Sequence, residues 1–166
     1  EVYDGVKTSQ VNWYKEKHDE IEAEYGKFKS VTVVHIPVYQ AENEYTENDF
    51  LYGEKREGVC ESGFDSGLFD AMIEKGSAQA VYFGHDHVND FHIKVDGISL
   101  YQTIGCGYFT YGKEHGGRLI ILDENNPENI ETRTIEVERI TSTNFNRNQD
   151  DDIAVILNAY DELLNK

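Results

Sequence analysis

The sequence predicts an α/β protein whose first half alternates helices with buried strands and whose second half is mostly β. Short apolar segments at residues 31–35 and 79–84 are rich in β-branched or aromatic residues, as in strands buried on both faces. A helical segment lies between them along the chain. Beyond residue 90, short apolar segments are separated by turn residues, which indicates antiparallel strands. The predicted sheet is therefore mixed.

Two helices are predicted in the first half. Residues 9–25 carry apolar side chains at alternating spacings of three and four, which is typical of one face of a helix. His18 lies on that face, and we expect it to be packed and hydrogen-bonded. Residues 66–75 form the second helix, with Asp65 or Ser66 as its cap. A strand, a helical crossover and a strand predict two parallel strands with a right-handed connection.

The remaining segments complete the predicted architecture. Strands are expected at Phe91–Val95, Ile98–Ile104, Arg118–Asp123 and Glu131–Val137, and an amphipathic helix at Asp150–Leu164. The polar stretch 37–63 is long for a loop, and such loops are usually functional lids or disordered. Because it starts directly after His35, we favour the lid. These patterns divide the chain into a domain over 1–140 and a tail over 141–166.

Composition excludes some classes of function. The chain has 15 basic and 32 acidic residues, a net charge of −17, which opposes binding to nucleic acid or to an anionic membrane. The sequence has no apolar stretch long enough to cross a bilayer. A small phosphorylated substrate stays compatible, because bound metal ions dominate the local field. Cys60 and Cys106 lack metal-site spacing, so we expect two buried or half-buried thiols, with a disulfide as the alternative.

Three histidines stand where two predicted parallel strands end. His35 closes the first strand, and His85 and His87 follow the second in Gly-His-Asp-His. Ligand sites in open α/β sheets form beyond the carboxyl ends of parallel strands, and imidazole is a common metal ligand. We therefore predict metal binding by these three residues, with His85 and His87 facing either one ion or two. The alternative is a polar turn beside a core histidine.

The same segments resemble a known family. Val33-Val34-His35-Ile36-Pro37 and Gly84-His85-Asp86-His87 are similar to the last two motifs of calcineurin-like metallophosphoesterases. Glu57-Gly58-Val59-Cys60, Ser66-Gly67-Leu68-Phe69 and Phe83–Phe91 resemble the branch related to purple acid phosphatases. Gln10–Tyr14 is similar to the helix that follows the family's asparagine–histidine motif. The resemblance covers most of residues 3–123 and implies the C-terminal part of a two-sheet α/β sandwich.

The resemblance also implies a chemistry. It assigns His35 and His85 to one metal ion and His87 to a second, with iron, manganese or zinc as the metal, in a hydrolase that attacks phosphate esters with metal-activated water. The family's upstream motifs, Asp-x-His, Gly-Asp-x-x and Gly-Asn-His-Asp/Glu, do not occur before His35, and the string Asp90-Phe91-His92 lies downstream of the histidine motifs. Since the chain also opens with Glu1, we expect a piece of a longer protein, inactive as a phosphatase by itself.

The sequence also allows expectations for other polar residues and alternative hypotheses for the function. We expect Asp86 to be a solvated turn residue, His115 to be exposed, and His92 to form part of a wall. The glycine- and tyrosine-rich segment 105–117 is expected to be a turn that borders the pocket, not a P-loop. A non-catalytic metal- or ligand-binding module is the main alternative function, and a β-rich interaction domain is another. An uncovered strand edge predicts self-association or pairing with the missing N-terminal part.

Overall fold

A computed structural model describes residues 3–44, 46–107, 110–112 and 114–137. Its helices are α1 (Thr8–Tyr25), α2 (Gln40–Asn43) and α3 (Leu68–Lys75), with a 3-10 turn at Glu47–Asp49. Its strands are β1 (Ser30–Val33), β2 (Phe50–Glu54), β3 (Ala78–Phe83), β4 (Asp90–Val95), β5 (Ile98–Gln102), β6 (His115–Leu122) and β7 (Ile130–Val137). The helix predicted at Asp150–Leu164 and the domain boundary at residue 140 lie outside the described residues.

The main sheet is mixed, and the predicted α/β class is confirmed. Its five strands run in the order β1-β3-β5-β4-β2. β3 is parallel to both β1 and β5, while β4 is antiparallel to β5 and to β2. The two strands predicted to be parallel, β1 and β3, are direct neighbours. β6 and β7 form a separate antiparallel pair.

Alternation along β3 divides the interior into two layers. Val81 and Phe83 face the larger core, in which side chains of α3 meet those of β4 and β5. Ala80 and Tyr82 face the other way and pack with Tyr101, and Ile120 and Ile130 of the second sheet lie against them. Side chains alternate between the two faces of a strand, so β3 is buried on both faces, as the sequence predicts.

Arg118 of β6 links the second sheet to the first. Its guanidinium donates hydrogen bonds to Thr103 Oγ1 at 3.1 Å, to the carbonyl oxygen of Gln102 at 3.2 Å and to Asp90 Oδ1 at 2.5 Å. It also donates to Tyr52 Oη at 3.1 Å, and it lies 5.1 Å from the centroid of the Tyr101 ring. The guanidinium side chain is only 3% exposed.

Three predictions about the first half are wrong in part. β1 is an edge strand with one neighbour among the described strands, and Val33 is 72% exposed, so β1 is not buried on both faces. The stretch 37–63 is not a plain loop, because it contains α2, the 3-10 turn and β2. The apolar face of α1 is buried at Val11 and His18, whereas Ile21 and Tyr25 are exposed.

Within the described part of the chain, no helix has both the length and the apolar character needed to span a membrane.

Candidate metal centre

The parallel pairing of β1 with β3 continues past both strands and brings the histidine segments together. Val34 N–H donates to the carbonyl oxygen of Tyr82 at 3.0 Å, and Gly84 N–H donates to that of His35 at 3.2 Å. The chain then turns sharply at His85, whose φ is +74°, and Asp86 N–H donates back to Gly84 at 3.0 Å. We call residues 84–87 the histidine turn. It lies beside His35 at the carboxyl end of the sheet.

His35 and His85 form a close pair of imidazoles. His35 Nε2 lies 3.3 Å from His85 Nδ1, and the two rings meet edge to face with centroids 5.2 Å apart. Two nitrogens bound tetrahedrally to one zinc-like ion at about 2.0–2.1 Å lie roughly 3.3 Å apart. The spacing of this pair therefore fits two ligands of one ion. The ring of Tyr3 packs against His85 from another side, with centroids 4.3 Å apart.

His87 is held by a different set of contacts. Its Nδ1 lies 2.5 Å from Thr110 Oγ1, and its ring stacks on Tyr111 with centroids 4.7 Å apart and planes 16° apart. Its backbone N–H donates to Tyr111 Oη at 3.2 Å, and that hydroxyl donates to Glu57 Oε1 at 2.8 Å. Burial raises the pKa of Tyr111. Thr110 and Tyr111 of the segment 105–117 thus border the histidine turn.

The described side chains contain no group of three or more His, Cys, Asp or Glu residues that could hold a metal ion. The structure brings His35 and His85 together, and it places His87 against Thr110 and Tyr111. The role of His35, His85 and His87 as metal ligands stays a prediction.

A buried glutamine supports the histidine turn from inside. Gln102 is fully buried, and its Nε2 donates to the carbonyl oxygens of Gly84 at 2.7 Å and Asp86 at 3.1 Å. Gly105 N–H donates to the carbonyl of His87 at 3.0 Å. A Cβ on Gly105 would lie 3.0 Å from both Cβ and Cγ of His87, so a larger residue at position 105 would push against the imidazole.

Asp86 is buried, and the expectation of a solvated turn residue is wrong. It is 1% exposed, and both of its carboxylate oxygens lie 3.2 Å from the backbone N–H of Cys60, which donates to them. Burial raises the pKa of this carboxyl group. An acidic residue in a polar turn is ordinarily solvated, and the contact to Cys60 joins residues 26 positions apart. No local signal in the sequence reveals it.

Asn89 anchors the same neighbouring segment, and sequence reasoning missed it. It is fully buried, and its Oδ1 accepts hydrogen bonds from the backbone N–H groups of Arg56 at 2.7 Å and Glu57 at 3.0 Å. Its Nδ2 donates to the carbonyl oxygen of Glu57 at 3.1 Å. Asp86 and Asn89 together fasten the segment 56–60 beside the histidine turn.

The remaining histidines are His92, His115 and His18. His92 is a wall residue, as expected, and it stacks on Tyr101 at 4.0 Å between centroids. Burial lowers the pKa of His92 to about 4. His115 is buried, not exposed as predicted. His18 is packed, with Phe28 beside its ring and Asp19 Oδ1 3.4 Å from its Nδ1.

The two cysteines are free and exposed. The prediction of two unpaired thiols is therefore confirmed, whereas their predicted burial is wrong. Burial of the thiol is nevertheless the main factor that raises the pKa of Cys60, followed by the charge of nearby Asp86.

A groove of ≈ 560 Å³ opens beside His35. It lies between the start of α1 and the chain that follows β1, and Lys7, Gln10, Tyr39, Ser62 and Ser66 contribute polar groups to its lining. Lys7 is paired there with Asp4.

Comparisons with known proteins point in one direction. The chain is 36% identical over 132 residues to "Probable inactive purple acid phosphatase 14" of Arabidopsis thaliana, which covers 74% of this chain and 32% of that protein. It is 32% identical over 136 residues to "Probable inactive purple acid phosphatase 29" of the same plant, covering 75% and 35% of the two chains. A third relative, "Probable inactive purple acid phosphatase 28", is 29% identical over 119 residues, covering 70% and 30%.

The chain is similar to purple acid phosphatase-like proteins. This similarity supports a metallophosphoesterase-related family, in line with the resemblance of the motifs. The chain spans about a third of the length of the curated relatives it matches. No family model matches the sequence, and no solved structure matches it.

Proposed function

We propose that this chain carries part of the metal centre of a phosphoesterase that is active only when the region with the other ligands is also present. The contact between His35 and His85 is the main support, because residues 50 positions apart in sequence place ring nitrogens 3.3 Å apart. The similarity to purple acid phosphatase-like proteins supports the reaction class. The proposed substrate is a small phosphorylated molecule, because the net charge of −17 opposes a polyanion.

In this proposal His35 and His85 hold one ion and His87 holds a second. Iron, manganese and zinc suit imidazole ligands. Two bound metal ions would supply a hydroxide from water and would neutralise the charge of the phosphoryl oxygens. The residues of this chain hold the imidazoles in place, since Gln102 donates hydrogen bonds to the carbonyl oxygens of Gly84 and Asp86 in the histidine turn. The part of the sequence before His35 lacks the family's aspartate and asparagine motifs, so the chain alone should not hydrolyse phosphate esters.

Titration of the metal-free chain with Zn²⁺ in a calorimeter tests the metal centre. We expect binding that is lost or weakened at least tenfold in His35→Ala and in His85→Asn. Asparagine suits the second position because it tolerates the positive φ of +74° there. His18→Gln is the matched control, since His18 is a packed histidine on α1. Unchanged zinc affinity in both site variants would refute the proposed pair.

A non-catalytic metal- or ligand-binding module is the second candidate. It is favoured by the word "inactive" in the names of the three relatives. The two candidates make different predictions for a longer protein that includes the missing ligand region. With zinc, manganese or iron added, a phosphoesterase should release p-nitrophenol from p-nitrophenyl phosphate, and His85→Asn should abolish the release. A binding module should bind the metal without any turnover.

We further propose that β1 is where the chain associates with its missing part or with a second copy. β1 has one neighbour among the described strands, and Val33 on it is 72% exposed. Open strand edges are ready to pair with another strand. Light scattering should show a concentration-dependent dimer of the chain, which an added N-terminal region should suppress. A strictly monomeric chain at all concentrations would count against this proposal.

A further inference from the structure

Thr110 contacts one of the two ring nitrogens of His87 through its side-chain hydroxyl. The distance from Thr110 Oγ1 to His87 Nδ1 is 2.5 Å. An imidazole has two nitrogens, and the partner of one decides which proton or ion the other can take. With Nδ1 engaged by a hydroxyl, Nε2 is the nitrogen of His87 left for coordination.

The position of Thr110 is itself fixed by a closed set of contacts. Its neighbour Tyr111 stacks on His87 and accepts the backbone N–H of His87, and the same tyrosine hydroxyl donates to Glu57. Glu57 is in turn bonded through its backbone to Asn89, two residues after His87. The contacts therefore return to the segment from which they start, which restrains both the tyrosine and the threonine.

Gly105 restrains His87 as well. Gly105 approaches so closely that a Cβ there would lie 3.0 Å from Cβ and Cγ of His87. Rotation of the imidazole about its Cβ–Cγ bond, which exchanges Nδ1 with Cδ2, is thus opposed by the stacked Tyr111 ring and by the close approach of Gly105. Such a flip would also break the contact between Nδ1 and Thr110 Oγ1, so these contacts favour the ring orientation in which Nδ1 meets the threonine.

We infer that Thr110 is a positioning residue that holds Nδ1 of His87 and reserves Nε2 for a metal ion. The inference rests on the proposed function, because it names the coordinating atom of a histidine assigned to that centre. Hydrogen-bonding partners of metal-ligating histidines typically change metal affinity 10–100-fold when they are removed. Thr110 fills this role for His87 through its hydroxyl, and Tyr111 and Glu57 fix the segment that carries it.

Long-range ¹H–¹⁵N NMR of the histidine rings, recorded on the chain before and after addition of Zn²⁺, tests this role. In the zinc-bound chain, Nε2 of His87 should shift on metal binding while Nδ1 stays protonated. Thr110→Val should weaken zinc binding at His87 about tenfold and should shift its ring nitrogens in the metal-free chain as well. Thr110→Ser should restore both properties, because serine retains the hydroxyl.

Thr132→Val is the matched control, since Thr132 Oγ1 donates to a backbone carbonyl of β6 at 2.8 Å and its loss removes a comparable hydrogen bond elsewhere. It should leave the His87 resonances unchanged. Zinc coordination through Nδ1, or wild-type ring resonances and affinity in Thr110→Val, would overturn the inference alone. A chain in which no histidine responds to zinc would overturn the proposed function, and the role of Nε2 with it.

Discussion

Replacing Arg118 by methionine should cost a large part of the stability of this chain. The guanidinium is 3% exposed and links the two sheets through Asp90, Thr103, Tyr52 and the carbonyl of Gln102. Methionine preserves much of the apolar stem but leaves these acceptors without their donor. Breaking a buried ion pair costs about 3–5 kcal/mol. Because the Asp90 side chain is 24% exposed and water can reach it, we expect the lower end, about 3 kcal/mol.

The assay is urea unfolding at neutral pH, followed by circular dichroism. With a denaturant slope of about 1–3 kcal/mol per molar, a loss of about 3 kcal/mol lowers the midpoint by about 1–3 M. Lys15→Met is the control, because Lys15 forms an ion pair with Glu74 whose two side chains are 36% and 56% exposed. Such surface pairs contribute little, so its midpoint should barely move.

A double-mutant cycle with Asp90→Asn separates the ion pair from the other contacts of Arg118. The two substitutions should be non-additive by about 1–3 kcal/mol, since the side chains are in direct contact. A loss below about 1 kcal/mol in Arg118→Met would refute the reasoning. It would mean that the two sheets are held together by the apolar contacts of Tyr82, Tyr101 and Ile120 instead.

Three further results are expected. Gly53→Ala should destabilise the chain by about 1–3 kcal/mol in urea unfolding, because φ is +100° and a Cβ there would lie 2.1 Å from the carbonyl oxygen of Asp90. The control Gly58→Ala has open space around the new Cβ and should be nearly neutral. Equal losses of stability in the two variants would contradict the steric argument. His92→Phe should reduce the loss of stability in acid. The pKa of His92 is about 4 in the folded chain and about 6.5 in the unfolded chain, so the free energy of unfolding is highest above pH 6.5 and falls by about 3 kcal/mol as the pH drops towards 4. Matching pH profiles of stability for the two proteins would count against a neutral buried imidazole. The chain alone should release no phosphate from p-nitrophenyl phosphate with zinc, manganese or iron present, and turnover near that of the longer protein would disprove the need for the missing ligands.

The sequence predicts the elements whose signal is local. α1, α3, β3 and the later strands follow from spacing and from turn residues, and the structure contains them within a few residues of the predicted bounds. β2 was not predicted, because Phe50–Glu54 includes a glycine and is largely exposed. Its pairing partner β4 lies about 40 residues further along the chain. Such long-range pairing has no local signature.

The sequence also does not show whether a strand lies at the edge or in the centre of a sheet. The segment Ser30–Val33 has the β-branched composition of a buried central strand, yet only one strand pairs with it among those described. Composition reports which residues tolerate burial. It does not report which neighbours are present to provide it.

At the candidate site, the expectation that ligand sites form beyond the carboxyl ends of parallel strands predicted His35, His85 and His87 from the sequence. This prediction was possible because parallel strands share a direction. The supporting residues could not be found in this way. Gln102 and Thr110 act on the histidine turn from 18 and 23 positions away. Polar residues in turns are solvated far more often than buried, and for Asp86 this expectation gave the wrong answer.

In the segment from His85 to Asn89, the residues that hold the backbone differ from the residues that carry the imidazoles. His85 and His87 are half-exposed, while Asp86 and Asn89 are buried and hydrogen-bonded to the backbone of residues 56–60. Removing Asp86 or Asn89 takes the acceptor away from backbone N–H groups of residues 56–60, whereas removing an imidazole leaves those hydrogen bonds intact. The shape of the histidine turn therefore depends on the two anchors, and the proposed metal binding depends on the histidines. Replacing the histidines should abolish the proposed metal binding and leave the backbone of the turn in place.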